Sequence, residues 1–396
     1  MKHGIFILTL IFLTSIPLSA QQSDSAGSLN SFSFELYRQL KSDKENLFFS
    51  PLSIDIALLM AKEGARNDTK KAFEKVLHID STMDSKDELN FVLNLKSCKD
   101  SSNQLNIANA IWIQRDFILN TDFQKKVQTN YLADAFPVDF LNKYNSVNQI
   151  NKWAAQKTNN LIQQVISPDQ INDSTRLVIT NAIYFMGKWA KKFESNLTSK
   201  DNFYGINRDT VKTDFMHETG LMDYFENNDF QMIEKYYKGY DKSFCVILPK
   251  KRYGISAIET RMNKSLLDSI LNHVAIKEVV LSVPKLRLET SYSLKESLSR
   301  LGLEKAFTES ADFTGISYKP LLKFSNVSHI AYIDVDEVKT EAAAVTKITM
   351  NFYGSTGHQK PKPIIYFTAD HPFLFMIIDN QTKGIVFMGR YVKINN

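Results

Sequence analysis

The sequence predicts an α+β fold in which helices pack around a large central β-sheet. Helical spacing of apolar residues dominates the first half of the chain, whereas short apolar runs typical of strands dominate the second half. The run 177–185 (LVITNAIYF) is almost continuously apolar, which indicates a strand buried on both faces. No repeat or low-complexity linker divides the 396 residues, so we expect one large domain.

Helices are predicted from apolar spacing and from capping residues. Leucines and phenylalanines at helical spacing predict a helix over 28–41. Ser50 has the character of an N-cap and Pro51 that of a first helical residue, so a second helix is expected to follow them. Apolar spacings around 150–154 and 294–301 predict two further helices.

Strands are predicted from short apolar or alternating runs. Besides 177–185, they are expected at 243–248, within 278–290 and around 329–336. The chain ends in a predicted hairpin, whose two strands (373–378 and 385–391) are joined by the turn-forming segment DNQTKG.

The composition is typical of a soluble globular protein, with 43% hydrophobic and 23% charged residues. The formal net charge of +5 is spread over short clusters. No basic stripe interleaved with aromatic residues is present, so we expect no nucleic-acid partner and no site for an acidic polysaccharide.

The first twenty residues have the pattern of a secretory signal peptide. A short basic start precedes an apolar core over 5–16, and Ala20 ends a sequence typical of a cleavage site. The apolar core is too short to span a membrane comfortably. We therefore expect a signal peptide at 1–20, a single domain at 21–396, and a secreted or periplasmic protein that does not insert into membranes.

Export permits disulfides, and the chain has two cysteines. Cys245 lies in a predicted strand and Cys98 in a polar stretch. An inert core thiol beside a separate surface thiol is the simpler interpretation, and a single bridge is the alternative.

The sequence lacks the motifs of common catalytic and cofactor sites. His217 and Glu218 begin like a zinc-protease helix, but Leu221 stands where the second histidine is required. The segment 354–357 (GSTG) has the wrong spacing for a serine-hydrolase elbow. The seven histidines include no pair at ligand spacing, so we expect no metal, no cofactor and no enzymatic activity.

Several motifs, in order over about 28–393, resemble the serpins, a family of protease inhibitors whose bait loop inserts into their own sheet. The matching segments are 46–69 (NLFFSPLSIDIALLMAKEGARNDT), 147–162 (VNQINKWAAQKTNNLI), 180–189 (TNAIYFMGKW), 311–317 (ADFTGIS) and 370–377 (DHPFLFMI). The resemblance implies the serpin fold, with a large central mixed sheet, smaller sheets and an exposed reactive-centre loop at about 337–363.

The segment 337–346 (EVKTEAAAVT) resembles the serpin hinge, where the bait loop begins to insert. The resemblance assigns to the hinge Glu337, Lys339, Thr340, Glu341, Ala342, Ala343, Ala344, Val345 and Thr346. Thr340, Ala342, Ala344 and Thr346 are small and alternate, so on a strand they share one face and fit between packed strands.

Two hinge positions depart from the family pattern. Lys339 stands where most inhibitory members have Gly, which eases the turn into the sheet, and Val345 replaces a smaller residue. Both residues belong to the outward-facing set, so all the inward-facing side chains remain small. We expect insertion to occur, with Lys339 slowing it.

Polar residues in apolar surroundings need partners, because an unsatisfied buried polar group costs about 1–3 kcal/mol. By resemblance, Ser50, Ser53, Asn181 and His329 form the shutter, a hydrogen-bonded cluster beneath the strands that part to admit the loop. Trp189 matches the breach at the top of the sheet, and a plain core aromatic is its simpler role.

Family spacing from the hinge glutamate selects Tyr353–Gly354 as the scissile bond, with Phe352 entering the neighbouring pocket. Tyr353 would enter the primary pocket, where a large aromatic residue suits chymotrypsin-like or subtilisin-like serine proteases. Phe352 in the neighbouring pocket also suits papain-like cysteine proteases. The segment after the bond is longer than is common in the family, so Met350, Phe352 and Lys347 are alternative cleavage sites.

The resemblance implies a monomeric suicide-substrate inhibitor, whose partner is a target protease trapped as a covalent acyl complex. The rival interpretation is a non-inhibitory serpin that acts as a carrier, chaperone or storage protein. Such members tend to have bulky or charged residues or Pro at the inward hinge positions, which this chain lacks.

Overall fold

The computed structural model describes residues 18–79, 91, 94, 98, 100–131, 133–318, 322–337 and 364–394. Over this part of the chain the α-helices are α1 (Leu18–Leu40), α2 (Pro51–Gly64), α3 (Asn67–Val76), α4 (Thr121–Tyr131), α5 (Lys143–Lys157), α6 (Ile255–Arg261), α7 (Lys264–Asn272) and α8 (Lys295–Leu298).

The strands form two sheets. They are β1 (Leu47–Phe49), β2 (Gln104–Gln114), β3 (Asp134–Val138), β4 (Leu177–Met186), β5 (Ser199–Tyr204), β6 (Thr210–Glu226), β7 (Phe230–Tyr236), β8 (Lys242–Pro249), β9 (Ala275–Pro284), β10 (Leu286–Ser293), β11 (Asn326–Val335), β12 (Ile365–Thr368), β13 (Phe373–Asp379) and β14 (Ile385–Tyr391).

The larger sheet has nine strands in the order β1-β14-β13-β8-β7-β6-β9-β12, with β5 paired to β6. The smaller has five, in the order β10-β11-β4-β2-β3. In the five-stranded sheet, β10 is antiparallel to β11 and β2 to β4, whereas β11 runs parallel to β4 and β3 to β2. The predicted α+β class is confirmed, with helices packed on mixed sheets.

Strand β4 is buried on both faces, as its apolar run predicts. Ile179 and Ile183 belong to the main core, which also contains the apolar side of α2. Val178 and Ala182 face the other way, into a second core that contains the apolar residues of α5. Because successive side chains of a strand point to opposite faces, a strand between two helical layers must be apolar at almost every position.

Helix α2 begins as its capping residues predict. The Ser50 side chain accepts a hydrogen bond from the Ser53 N–H at 3.1 Å, and Pro51 occupies the first helical position, where no N–H is needed. Nearly all of its residues are buried. This central position anchors the helix that lies beneath the five-stranded sheet.

Two predicted helices differ from the structure. Helix α1 begins at Leu18, ten residues before the predicted start, and ends at Leu40. Around 294–301, helix α8 covers only Lys295–Leu298 and is followed by a π-helical turn, Ser299–Leu303. Gly302, whose φ of 118° is incompatible with a regular α-helix, explains why the regular helix stops.

Both cysteines are free. Cys245 is buried and Cys98 is half-buried against the main core, so Cys98 is not the surface thiol that its polar neighbours predict. Burial raises the pKa of both thiols. Their reactivity is therefore low, because the thiolate is the nucleophilic form. In the described segments, no helix is long and apolar enough to cross a membrane.

Candidate functional site

Most of the predicted hinge and bait lies outside the described residues. These positions are Lys339, Thr340, Glu341, Ala342, Ala343, Ala344, Val345, Thr346, Lys347, Met350, Phe352, Tyr353 and Gly354. The structure does place Glu337, the polar residues beneath the sheet, and Trp189.

A buried polar cluster lies between α2 and the five-stranded sheet. It consists of Ser50, Ser53, Asn109, Asn181 and His329, each at most 3% exposed. Asn181 on β4 is the Cα partner of His329 on β11 and of Asn109 on β2. The three side chains therefore form one row across three neighbouring strands, on the face that meets α2.

Asn181 connects this polar cluster. Its Nδ2 lies 3.0 Å from the Ser53 carbonyl oxygen and 2.5 Å from Asn109 Oδ1, and it also contacts the Ser53 hydroxyl. Its Oδ1 contacts His329 Nδ1. A single amide thus links a helix to three strands.

The hydrogen bonds of His329 determine its protonation. The Ser50 N–H can only donate, and it lies 3.1 Å from His329 Nε2, which must therefore accept. The proton of the neutral ring is then on Nδ1, which donates to Asn181 Oδ1. Burial lowers the pKa of His329 to about 3, so the ring is neutral at physiological pH.

The sequence prediction grouped Ser50, Ser53, Asn181 and His329, and the structure brings these four together. Their role in strand separation stays a prediction. Asn109 was missed, although its position between alanines in the apolar run IANAIWI indicated a buried amide in need of a partner.

Trp189 lies at the end of the sheet where β11 stops. Its ring stacks on Tyr237 with centroids 4.5 Å apart, and Phe193 packs edge-on at 5.9 Å. Its Nε1 donates to the Asp336 carbonyl oxygen at 2.8 Å. The indole is thus both a core aromatic and a direct contact of the chain that leaves β11.

Glu337 is anchored immediately after this contact. Lys285 Nζ lies 2.8 Å from Glu337 Oε1, and the Thr198 hydroxyl donates to the same oxygen at 2.6 Å. Burial alone would raise the pKa of Glu337, but the hydrogen bonds from Lys285 and Thr198 outweigh it and lower the pKa. The carboxylate therefore fixes the start of the predicted hinge to the loop before β5 and to the residue after β9.

A buried ion pair supports the same region and was not predicted. Lys235 pairs with Glu218, donates to the Lys191 carbonyl oxygen at 2.8 Å, and lies 4.3 Å from the centre of the Phe193 ring. Burial lowers the pKa of Lys235, although Glu218 opposes this effect. His217 and Glu218 lie on strand β6 and not on a helix, so they lack the backbone of a zinc-protease motif.

No group of three or more His, Cys, Asp or Glu side chains that could hold a metal occurs in the described part of the chain.

The parallel pairing of β4 with β11 determines how a further strand could pair with the two strands. These strands are parallel over seven Cα pairs, with the polar cluster below them and Trp189 at the end where β11 stops. A strand that turns back after β11 would run antiparallel to both. Antiparallel pairing is slightly more stable per residue than parallel pairing.

Comparisons with known proteins agree with this arrangement. The family model described as serpin (serine protease inhibitor) matches residues 27–394. The chain is 37% identical over 374 residues to an uncharacterized serpin-like protein of Thermococcus kodakarensis, covering 93% of this chain and 86% of that protein. It is 34% identical over 372 residues to the leukocyte elastase inhibitor of Xenopus tropicalis, covering 91% and 97%.

The solved structure of Serpin48 from the insect Tenebrio molitor is similar with a TM-score of 0.82 at 30% identity, covering 94% of this chain and 98% of that one. These similarities extend from α1 to the terminal hairpin, so they concern the whole described fold. The chain therefore belongs to the serpin family.

Proposed function

We propose that this serpin is a suicide-substrate protease inhibitor whose reactive loop enters the five-stranded sheet between β4 and β11. Serpins are generally protease inhibitors and not enzymes, and the parallel pairing of β4 and β11 is the observation that carries the proposal here. An inserted strand gains hydrogen bonds on both sides and converts one parallel contact into two antiparallel ones.

The surroundings of the pair support insertion. Glu337 holds the loop where β11 ends, through Lys285 and Thr198. Beneath the pair, the contact between His329 and Asn181 must be exchanged for new partners when the strands part. A cluster of hydrogen bonds can be re-formed with a new strand, whereas interlocked apolar side chains would have to be repacked.

The loop sequence is compatible with insertion between β4 and β11. The inward positions Thr340, Ala342, Ala344 and Thr346 are small. Thirteen steps from Thr340 to Tyr353 would span about 43 Å at the usual strand rise of about 3.3 Å. An inserted loop of this length would carry a tethered protease from one end of the inhibitor to the other.

The chemistry belongs to the protease. Its nucleophile attacks the Tyr353 carbonyl carbon, forms the acyl bond and releases the amine of Gly354. Insertion that precedes hydrolysis displaces the tethered enzyme and distorts its active site, so water no longer completes deacylation. Phe352 and Tyr353 suit chymotrypsin-like, subtilisin-like or papain-like enzymes, with Met350 and Lys347 as alternative sites.

The direct test is to mix the purified protein with chymotrypsin, subtilisin, trypsin and a papain-type enzyme, followed by denaturing gels and mass spectrometry. We expect a detergent-resistant band at the summed mass and a released peptide that begins at Gly354. A different first residue would move the bait bond. Clean cleavage with full protease activity would favour the non-inhibitory carrier, chaperone or storage protein.

Two neighbouring alanines provide a matched test of insertion. Ala342→Arg places a charge on the inward face, whereas Ala343→Arg places it on the outward face. We expect Ala342→Arg to raise the number of inhibitor molecules consumed per trapped protease at least about tenfold, since 1.4 kcal/mol slows a step tenfold. Ala343→Arg should stay near wild type. Equal effects of the two variants would contradict strand insertion.

We also propose that the protein is exported as a monomer after cleavage at Ala20–Gln21. Cleavage there would shorten α1 by its first three residues and leave the buried part from Ser25 onward intact. The amino-terminal sequence of protein recovered from the medium or periplasm should begin at Gln21. A mature chain that retains Met1 would contradict this proposal.

A further inference from the structure

An exposed apolar patch lies on one face of β6, β9 and β12. Leu221 is 76% exposed, Ile276 69%, Tyr366 66% and Ile364 54%. Ile276, Glu278 and Val280 alternate along β9 and so share a face. Leu221 pairs with Glu278, and Tyr366 pairs with Val280. We call this surface the β9 patch: Leu221, Ile276, Glu278, Val280, Ile364 and Tyr366.

Glu278 is the charged centre of the β9 patch. Leu221 is opposite it on β6, and Ile276 and Val280 are its nearest same-face neighbours on β9. Among the described residues the side chain of Glu278 has no ion pair or hydrogen bond. Asp223, opposite Ile276, adds a second carboxylate to this face, where the Tyr236 hydroxyl donates to it at 2.5 Å. The β9 patch therefore complements an apolar surface that carries a cation.

The β9 patch includes the residue at which the reactive loop ends, and strand β9 leads from the patch to the residue that anchors the start of the loop. The loop starts at Glu337, which is bound to Lys285 one residue beyond β9. It ends at Ile364, directly before β12, whose Ile365 pairs with Val279. Lys285, which binds the start of the loop, and Val279, which pairs with the residue after its end, are six positions apart. The two ends of the loop are therefore attached to β9 about 20 Å apart.

A protease at the bait bond is within reach of this surface. Eleven steps lead from Tyr353 to Ile364, so the bond lies no more than about 40 Å of extended chain from the β9 patch. Even a small folded domain is about 30 Å across. An enzyme engaged with the loop can therefore contact β6, β9 and β12 at the same time.

From this placement we propose that the β9 patch is a docking surface for the target protease, which presents an apolar area with a Lys or Arg against Glu278. The inference rests on the proposed inhibitory function and adds to it a determinant of partner choice. Docking accelerates the first attack on the loop, because apolar contact holds the encounter complex and the charge orients it. Insertion, which follows acylation, does not depend on it.

The test compares second-order rates of loop cleavage or complex formation, because both report the first attack. The variants are Glu278→Gln and Ile276→Ser, with chymotrypsin, subtilisin, trypsin and a papain-type enzyme as probes. With at least one protease we expect the second-order rate constant of each variant to be about threefold to tenfold lower than that of the wild type. For Glu278→Gln the salt dependence of the rate should also become weaker.

Ile118→Ser is the matched control, since Ile118 is 82% exposed and follows β2 at the end of the five-stranded sheet opposite the exit of β11. It should leave the rates unchanged. A synthetic peptide of residues 346–360 measures the reactivity of the bait without the β9 patch. The consumption ratio of inhibitor to protease should not change in the variants.

Rates that are equal in all variants with all four proteases would overturn the inference. A change of oligomeric state in Ile276→Ser, seen by analytical ultracentrifugation without a rate effect, would instead assign the β9 patch to a second copy and also overturn it. If the protein is cleaved but never traps a protease, the proposed inhibitory function fails. The rate of loop cleavage still decides the docking inference in that case.

Discussion

At the scale of single residues, His329 shows how burial turns a titratable group into a structural one. The native ring is neutral because its Nε2 accepts from Ser50 and its surroundings exclude water. A second proton would place an N–H against the Ser50 N–H and a charge in an apolar core. The native state therefore resists protonation at a pH where the unfolded chain accepts it.

Acid should destabilise the native state through His329. Its native pKa of about 3 lies below the unfolded value of about 6.5, so between these values the unfolded state binds more protons. The free energy of unfolding should fall by up to about 1.4 kcal/mol per pH unit below about pH 6.5. NMR titration should show a neutral His329 ring down to pH 4. A midpoint near 6.5 in the folded protein would contradict the prediction.

Glu337→Gln should weaken the anchor of the hinge. The substitution removes the ionic partner of Lys285 but keeps the size of the side chain at position 337. We therefore expect the free energy of unfolding to fall by about 1 kcal/mol. Urea unfolding measures the change. Glu278→Gln is the matched control, because the Glu278 side chain is exposed and has no ion pair or hydrogen bond among the described residues. Equal losses in both variants would show that the contact with Lys285 contributes nothing.

Where a polar side chain interrupts an apolar pattern, the sequence predicted most members of the buried polar cluster but not Asn109. Asn181 and His329 were identified for that reason and by resemblance. The partners of Glu337 were not predicted, because Thr198 and Lys285 are ordinary surface residues in the sequence. Contacts between distant exposed segments leave no periodic signal, so only the folded chain reveals them.

At the scale of helices and strands, the local pattern of apolar residues was enough to predict most elements. The run at 177–185 and the terminal hairpin were predicted almost to the residue, because burial on both faces produces long apolar strands. Two predicted helices differ: α1 begins ten residues before the predicted start, and the helix predicted around 294–301 is short. Apolar spacing continues through 294–301, but Gly302 in a left-handed conformation breaks the regular backbone.

Gly302→Ala should therefore destabilise the protein. The glycine has a φ of 118°, and an added Cβ would meet only the Val76 side chain, at 3.7 Å. Space is sufficient, so the cost is backbone strain of about 1–2 kcal/mol. Ser299→Ala, in the same segment with ordinary helical dihedrals, should stay within about 0.5 kcal/mol. A Gly302→Ala protein as stable as wild type would refute the explanation by strain.

At the scale of the whole molecule, the sheet order could not be read from periodicity. Strands β4 and β11 are neighbours although about 150 residues separate them, and a periodic pattern contains no information about such pairing. The resemblance to a known family grouped polar residues of both strands in one cluster, and the structure supplied the pairing itself. Physical reasoning then explains what the pairing allows, since a parallel pair with a chain leaving one end can accept that chain as a strand.

Cleavage of the loop should raise the thermal stability of the intact fold. A nicked loop that inserts between β4 and β11 adds a full hydrogen-bonded strand and buries Thr340, Ala342, Ala344 and Thr346. A domain of this size unfolds with an entropy change of about 0.8 kcal/mol per kelvin, so a gain of about 8 kcal/mol raises the Tm by about 10 °C. Calorimetry before and after limited proteolysis measures the shift.

The Ala342→Arg variant distinguishes the effect of loop insertion on the Tm from the effect of loop cleavage alone. Its inward charge opposes entry, so the nicked variant should melt near the temperature of the uncut variant, while nicked Ala343→Arg should gain as much stability as wild type. An unchanged Tm in the nicked wild-type protein would mean that its sheet does not accept the loop. The strands β4 and β11 would then remain a closed pair, and the carrier, chaperone or storage role would fit the fold better than inhibition.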